Sequence, residues 1–206
     1  MRRGGWVAAS GAAVAFAGLV WLHMLASPAR GDEANEPHYT DTGNLVRPEN
    51  FHGWIFVGSN LGLGYNTELA ANTPRERSRL GEYHNIYLAP EAYAAYAQTR
   101  TFPDKTVLVM DVYGARTKEP RGIVDKGSFN GPSFGIEVAV KNKMRPDGKT
   151  TDWAYYDFTD RSGNGRFPSN VKAQDDSQCY ACHKAHAGVD NVWVQFYPVL
   201  RDMKNP

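Results

Sequence analysis

The apolar positions of this chain fall into short runs separated by polar turns. From residue 51 onward these runs are rich in aromatic and β-branched side chains, which favour strands. The runs are WIFVG from Trp54, NIYLA from Asn85, TVLVM from Thr106, FGIEVAV from Phe134, WAYYDF from Trp153 and VWVQFYPV from Val192. Six such runs predict a mainly antiparallel β-sheet.

Two segments have the composition of helices instead. PEAYAAYAQ, from Pro90, places a proline at the first helical position, where its missing N–H is not needed. A second helix of one or two turns is expected around the paired cysteines near residue 180. The predicted fold class is therefore mainly β, of the α+β kind: an antiparallel sheet with a few short helices.

The amino-terminal segment differs from the rest of the chain. Arg2 and Arg3 precede residues 4–29, which contain no Asp, Glu, Lys or Arg and are rich in Ala, Val, Leu and Trp, as in an export signal. Small residues at 27–29 suit a signal peptidase. The apolar part is longer than the roughly 7 to 15 residues of a usual signal core, so residues 4–26 could instead stay as a membrane anchor. Both outcomes put the remainder outside the cytoplasm.

Beyond this leader we predict one domain. Residues 1–29 are the expected signal peptide or anchor, and residues 30–49, polar and with two prolines, are an expected linker or extended arm. Residues 50–206 are long enough for one core of ordinary size. The formal net charge of +1 argues against nucleic acid as a main partner.

Both cysteines of the chain lie in one segment, CYACH, at residues 179–183. In an exported protein the thiols of a C-x-x-C-H motif add to the two vinyl groups of a haem, and the adjacent histidine becomes an axial ligand of the iron. This interpretation makes Cys179 and Cys182 the attachment points of one haem c, and His183 the proximal ligand.

Two other chemistries use paired cysteines. A redox disulfide usually begins a helix in a βαβ unit, and no such pattern surrounds Cys179. A structural zinc site needs four ligands, and near the motif only His186 could join the other three. Haem attachment therefore fits the motif best, and His186 is expected to be a solvated helix residue.

The sequence around the motif resembles a known family. The segment CYACHKAHAGVDNVWVQFYPVLRDMK, from Cys179, is similar to the carboxyl end of cytochrome P-460 and cytochrome c′-beta proteins. Further similar segments are FHGWIFVG from Phe51, YHNIYLAPEAYAAY from Tyr83, the FPD-x-T-V turn from Phe102 and FGIEVAV from Phe134. The resemblance spans about residues 44–204. It implies a β-sheet haem domain of the cytochrome P-460 type, one covalently attached haem c, a periplasmic location and a homodimer.

The resemblance also implies where members of this family differ. Those that oxidise hydroxylamine have a lysine, cross-linked to the porphyrin, in the strand after an FPDGT-like turn. The c′-beta members lack the cross-link and bind nitric oxide beneath an apolar cap. In this sequence the strand is TVLVMDV, and Met110 occupies the lysine position. Lys105 lies earlier, in the turn, and the alternation of strand faces does not make it an equivalent substitute.

Met110 has three interpretations. Strand alternation places it on one face with Leu108 and Val112, so it could be a core methionine that fills space. It could instead be the sixth ligand of the iron, because methionine opposite histidine gives a low-spin haem with a raised potential, suited to electron transfer. It could also be a bulky cap over a five-coordinate iron. Met144 and Met203 are weaker ligand candidates.

Glu137 and His84 are the remaining candidate site residues. Glu137 shares a strand face with the small residues Gly135 and Ala139. It is either an exposed strand residue or a pocket carboxylate that relays protons to an iron-bound substrate. The resemblance favours the second, since hydroxylamine oxidisers have a glutamate there. His84 stands where those proteins have a distal arginine, and it could donate a hydrogen bond to a ligand, compete for the iron, or be an ordinary strand residue.

Together these features predict a periplasmic cytochrome with one c-type haem that exchanges electrons with a redox partner protein, using His183 and Met110 as axial ligands. The alternative is a c′-beta-like protein that binds nitric oxide or another diatomic gas. Hydroxylamine oxidation is disfavoured because Met110 has no amine for the cross-link, so the sequence argues against an enzyme. Contact with a membrane is expected only if residues 4–26 are retained.

Overall fold

The computed structural model describes residues 1, 35–64, 81–123 and 125–204. The expected leader, apart from its first residue, and positions 30–34 of the expected arm lie outside these residues. None of the helices within the described ranges has both the length and the apolar character needed to cross a bilayer.

The described part of the chain forms seven strands and three α-helices. The strands are β1 (Leu45–Val46), β2 (Ile55–Leu61), β3 (Glu82–Leu88), β4 (Val107–Arg116), β5 (Phe129–Lys141), β6 (Trp153–Asp157) and β7 (Asn170–Val171). The helices are α1 (Pro90–Thr99), α2 (Tyr180–His186) and α3 (Pro198–Arg201). A proline begins α1 and α3, because the first helical N–H has no partner within the helix to lose.

The main sheet is an antiparallel meander. Its strand order is β2-β3-β4-β5-β6, so each strand pairs with the one before it in the chain. β1 and β7 form a separate antiparallel ribbon. The prediction of a mainly antiparallel β domain with a few short helices is confirmed. The first five predicted strands and both predicted helices each coincide with an observed element.

The sixth predicted strand, VWVQFYPV from Val192, is wrong. Val192 makes an isolated bridge, and the chain then forms a 3₁₀ turn at Val194–Phe196 followed by α3. Buried side chains fall at Val194, Tyr197 and Leu200. This spacing of three matches a helically turning backbone, whereas a strand would bury every second residue.

The two faces of the main sheet are covered by different parts of the chain. One face, called here the helix face, carries Leu108 and Met110 of β4 and is covered by the three helices. The opposite face, called here the arm face, carries Val107 and Val109 and is covered by the chain before β2 and after β6. A hydrophobic core therefore lies on each side of the sheet.

Aromatic rings fill much of the helix-face core. Tyr96 of α1 stacks on Phe102 with ring centroids 4.5 Å apart, and Phe102 meets Trp153 of β6 edge-on at 6.0 Å. α3 approaches β2 at Gly58, where a Cβ would come within 3.0 Å of the Pro198 side chain. Glycine at this position therefore lets the segment after α2 lie close against the sheet.

The described part of the expected arm packs on the arm face. Leu45 of β1 is fully buried in the arm-face core, and it pairs with Val171 of β7. Tyr39 also packs against this core. The domain boundaries inferred from the sequence, after residues 29 and 49, stay predictions.

Candidate haem site

The CYACH segment lies on the helix face, at the start of α2. Cys179 immediately precedes the helix, and Cys182 and His183 follow in its first turn. Both cysteines are half-buried thiols, and Cys179 packs against the helix-face core. Cys179 and Cys182 are three positions apart, so less than one helical turn separates the two cysteines. The arrangement suits the two-point attachment that the motif predicts.

Charged side chains hold the segment that precedes α2. The carboxylate of Asp176 accepts a hydrogen bond from Lys149 Nζ at 3.0 Å and lies 3.7 Å from the Arg145 guanidinium. Arg145 is buried and donates to the carbonyl oxygen of Trp153 in β6 at 2.8 Å. The residues just before Cys179 are thereby tied to the main sheet.

His183 has a defined partner at each ring nitrogen. Nδ1 lies 2.8 Å from the carbonyl oxygen of Asn191, which can only accept, so Nδ1 carries the proton. Nε2 therefore has a lone pair, and it accepts a hydrogen bond from the indole N–H of Trp193 at 3.0 Å. The Tyr155 ring lies 4.3 Å from the imidazole between centroids. These contacts fix both the tautomer and the orientation of the imidazole.

Burial sets the charge of this imidazole. Loss of solvation lowers the pKa of His183 below its ordinary value of 6.5, and the hydrogen bond to the Asn191 carbonyl opposes this effect only in part. At neutral pH His183 is therefore uncharged, with an available lone pair at Nε2. This is the form in which a histidine binds a metal ion.

Met110 lies at the centre of the helix face. In the strand register its partners are Ile86 on β3 and Glu137 on β5, and Glu137 pairs in turn with Asp157 on β6. Met110 is half-buried and packs against the helix-face core, as Cys179 does. The face that strand alternation predicts for Met110 is therefore the face that carries α2.

The register also gives the distance between Met110 and Tyr155, whose ring lies against His183. Tyr155 pairs with Ala139, and Ala139 pairs with Leu108, which precedes Met110 by two residues on the same face. With about 4.8 Å between strands and about 3.4 Å per residue, the Cα atoms of Met110 and Tyr155 are roughly 12 Å apart. The thioether and the imidazole thus belong to one region of the helix face.

His84 and Glu137 share the helix face with Met110. His84 pairs with Val112, two residues beyond Met110 along β4, and its Nε2 lies 3.7 Å from the carboxylate of Glu82. The His84 and Glu82 side chains are 18% and 19% exposed. Glu137 is half-buried and lies directly across from Met110. The three candidate residues from three strands are therefore neighbours, while their roles stay predictions.

The weaker candidates make other contacts, and Met203 packs against the helix-face core as Met110 does. Met144 is 86% exposed. The sulfur of Met203 accepts a hydrogen bond from Arg100 at 3.1 Å, at the carboxyl end of α1. Lys105 donates to the Glu36 carboxylate at 2.7 Å, in the turn before β4. The order of preference among these candidates stays a prediction.

Within the described ranges, no group of three or more His, Cys, Asp and Glu side chains is arranged to hold a metal ion. His186 is exposed in the last turn of α2, as expected for a solvated helix residue.

The sequence does not single out the three residues that contact the His183 ring: Tyr155, Asn191 and Trp193. Asn191 follows Asp190, and such a pair is a turn signal that could have identified it. Trp193 belongs to the run that resembles a strand. The contact of Tyr155 joins distant positions of the chain, and no local pattern indicates it.

Comparison with known families is informative. The sequence model of the Cytochrome P460 family matches residues 48–194, which include Cys179, Cys182 and His183. The chain belongs to the cytochrome P460 family. This confirms the family expected from the sequence, and the interpretation of Met110 stays a prediction. No curated protein matches the chain.

Membership in the cytochrome P460 family implies a c-type haem protein, and the residues at α2 fit such a cofactor. Two thiols with the motif spacing stand beside a neutral imidazole whose Nε2 lone pair is held by a weak indole hydrogen bond. A metal–nitrogen bond is stronger than that hydrogen bond and can replace it. The chemistry of these donors therefore fits a c-type haem.

Proposed function

We propose that this protein is a periplasmic cytochrome that carries electrons through one haem c. Cys179 and Cys182 hold the haem by thioether bonds, and His183 and Met110 are its axial ligands. The haem supplies an iron centre that gains and loses one electron.

The position of Met110 is the observation that carries this proposal. It stands on the helix face and packs against the same core as Cys179. The resemblance described above implies that hydroxylamine-oxidising members have a lysine at this position. A thioether is a soft iron ligand and cannot form the amine cross-link. Methionine opposite histidine raises the potential of a haem, which suits electron transfer.

The surrounding residues support this role by excluding water and fixing the imidazole. Ile86 and Leu108, next to Met110, are 2% and 5% exposed. An apolar shell of this kind favours the less charged, reduced state of a redox centre. On the other side, the Asn191 carbonyl keeps the proton on Nδ1 of His183 and leaves Nε2 as the donor.

An optical spectrum of the purified, matured protein tests the proposal. We expect the sharp bands of a low-spin haem in the reduced protein, and slow or absent change when carbon monoxide is added. Met110→Ala removes the sulfur donor, so it should give a high-spin spectrum that responds to carbon monoxide at once. Met144→Ala is the matched control, because this methionine is exposed, and it should keep the wild-type spectrum.

Two results would contradict the proposal at different levels. A wild-type spectrum that is high-spin and responds immediately to carbon monoxide would exclude Met110 as a ligand while leaving haem attachment intact. Material without iron or colour would exclude the haem itself. A mass spectrum of the haem peptide adds a third test, because a bond beyond the two thioethers would favour hydroxylamine oxidation, with Glu137 as the proton acceptor.

Reversible binding of nitric oxide is a second candidate function. The neighbours of Met110 on the helix face include Ile86, Val112 and Gly135, which are apolar or small. In this alternative Met110 is a cap that leaves room for a diatomic gas. Rapid binding of nitric oxide to the reduced wild-type protein would favour it over electron transfer.

Export and partners belong to the same proposal. The leader at residues 1–29 directs the domain to the periplasm, where thioether attachment and exchange with a redox partner protein take place. Fractionation of cells should recover the coloured protein in the periplasm if the leader is cleaved, and in the membrane fraction if residues 4–26 are retained. Recovery from the cytoplasm would contradict the proposal, and the homodimer expected from the family can be measured on the same material by light scattering.

A further inference from the structure

We infer that Lys141 and Asp190 are positioning residues for His183. Their partly buried ion pair holds a turn whose carbonyl oxygen orients the imidazole and increases its strength as a ligand. This inference depends on the proposed haem attachment, because the imidazole is the iron ligand in that proposal. It adds two residues, 42 and 7 positions from His183 in the chain, that no sequence motif includes.

The turn has an unusual backbone conformation. Val189 and Val192 pair through reciprocal backbone hydrogen bonds of 3.3 and 2.8 Å, with two residues between them. Those two, Asp190 and Asn191, have φ angles of +47° and +61°. Two successive left-handed residues define the tight hairpin turn that Asp, Asn and Gly tolerate best. The local conformation of this turn is therefore favoured by its two central residues.

The carbonyl oxygen of Asn191 serves two side chains of the site. It accepts the Nδ1–H of His183 at 2.8 Å and the hydroxyl of Tyr155 at 3.2 Å. The Tyr155 ring itself packs against the imidazole. A movement of this one oxygen would therefore change both the hydrogen bond and the ring contact that orient His183.

Asp190 connects the turn to the main sheet. One carboxylate oxygen accepts from Lys141 Nζ at 2.7 Å, and the other accepts from the indole N–H of Trp153 at 3.2 Å. Lys141 and Trp153 are register partners on β5 and β6. Lys141 Nζ also donates to the carbonyl oxygen of Phe102 at 3.0 Å. The turn is thus fixed to the end of two paired strands by both oxygens of one side chain.

The burial of Lys141 indicates that its place is specific. Its side chain is 10% exposed, although lysine is among the residues least often buried. Burying an ion pair contributes little to stability by itself, because the loss of solvation offsets the attraction. A pair of this kind is better explained by the geometry that it imposes, and here it imposes the position of the Asn191 carbonyl.

The consequence concerns the reduction potential. A hydrogen bond from the distant ring nitrogen to a carbonyl makes an imidazole more basic and a better donor to an oxidised metal. A looser turn weakens that bond, so the oxidised haem loses stabilisation and the potential rises. Removal of the Lys141 positive charge alone would act in the opposite direction, so the test must keep the net charge constant.

The double variant Lys141→Met with Asp190→Asn meets this condition. In the matured, full-length protein we expect a higher reduction potential than in the wild type, and faster solvent exchange of the His183 Nδ1 proton in NMR spectra of the reduced protein. The matched control is Lys105→Met with Glu36→Gln. It removes an ion pair of equal charge whose lysine is 55% exposed, and it should leave both quantities unchanged.

A second pair of variants changes the turn without any charge. Asn191→Val places a β-branched residue at a left-handed φ and should also raise the potential. Asn191→Gly keeps this φ and the carbonyl oxygen, so it should match the wild type. If the double variant does not mature, an unchanged potential in Asn191→Val still overturns the inference, because the ion pair is inferred to act through this carbonyl.

The failure of this inference differs from the failure of the proposed function. A wild type without covalent haem contradicts the proposed function and removes the basis of the inference. A coloured wild type, with unchanged potential and proton exchange in the double variant or in Asn191→Val, overturns the inference alone. A rise in potential in the Lys105 control as large as in the double variant would overturn it as well.

Discussion

Two neighbouring residues of β4, Met110 and Asp111, show how differently the two faces of the sheet are built. On the arm face Asp111 is 1% exposed, and its carboxylate accepts hydrogen bonds from His52 at 2.9 Å, from Tyr113 at 2.6 Å and from Ser133. On the helix face Met110 is half-buried beside aliphatic neighbours and the cysteine helix. The Asp111 carboxylate is hydrogen-bonded within the protein and stabilises the fold. The helix face instead carries the thiol, thioether and imidazole side chains that are candidate ligands.

The strongest test of this difference is Asp111→Ala. The substitution leaves the hydroxyls of Tyr113 and Ser133 without their acceptor, so the free energy of unfolding should fall by about 3 kcal/mol. Chemical denaturation measures this loss. The haem spectrum should not change, because Asp111 lies on the other face. Asp111→Asn keeps one acceptor oxygen and should cost less; a changed spectrum, or equal losses in both variants, would contradict the separation of the faces.

A smaller effect is expected on the helix face from Gly135→Ala. An added Cβ would lie 3.2 Å from Thr159 Oγ1 and 3.3 Å from the Val112 side chain, so these neighbours must shift. We expect a loss of about 1 to 2 kcal/mol in the free energy of unfolding. Gly114→Ala in β4 is the control, because an added Cβ there meets nothing within 4 Å. Equal stability of the two variants would show that the side chains near Val112 move enough to accommodate the added Cβ.

The smallest effect concerns alkaline pH and the arm face. Burial raises the pKa of Tyr156 well above its usual 10, and nearby Tyr39 adds to this. Above pH 10 the unfolded chain releases the proton and the folded chain does not, so stability present below pH 10 is lost as the pH rises. At pH 11 the titration of Tyr156 lowers the free energy of unfolding by about 1 kcal/mol. Denaturation at pH 8 and 11 measures it, and Tyr156→Phe should reduce the difference; an unchanged difference would contradict the assignment.

Most of the fold could be predicted from the sequence because its strands obey local rules. Alternating residues such as Ile136 and Val138 are buried in the arm-face core, and Glu137 between them turns to the helix face. The prediction of a sixth strand was wrong because the apolar residues Val192 and Val194, both buried, alternate as they would in a strand. Pro198, which favours the first turn of a helix, was the contrary signal.

The candidate site also has one part that the sequence predicts and another that it does not. The motif of Cys179, Cys182 and His183 is contiguous, so its elements can be recognised without a structure. The partners of His183 cannot, since the Asn191 carbonyl is a backbone group and Tyr155 reaches the ring through tertiary packing. The contact between Asp111 and His52 could not be predicted for the same reason, because it joins β4 to the segment before β2.

The order of strands in the main sheet has a consequence for how the protein folds. Each strand pairs with its predecessor, so the pairings join segments that follow one another in the chain, which favours fast folding. The cysteines come after all five of these strands. The strand pairings of the main sheet therefore do not include the segment that carries the cysteines.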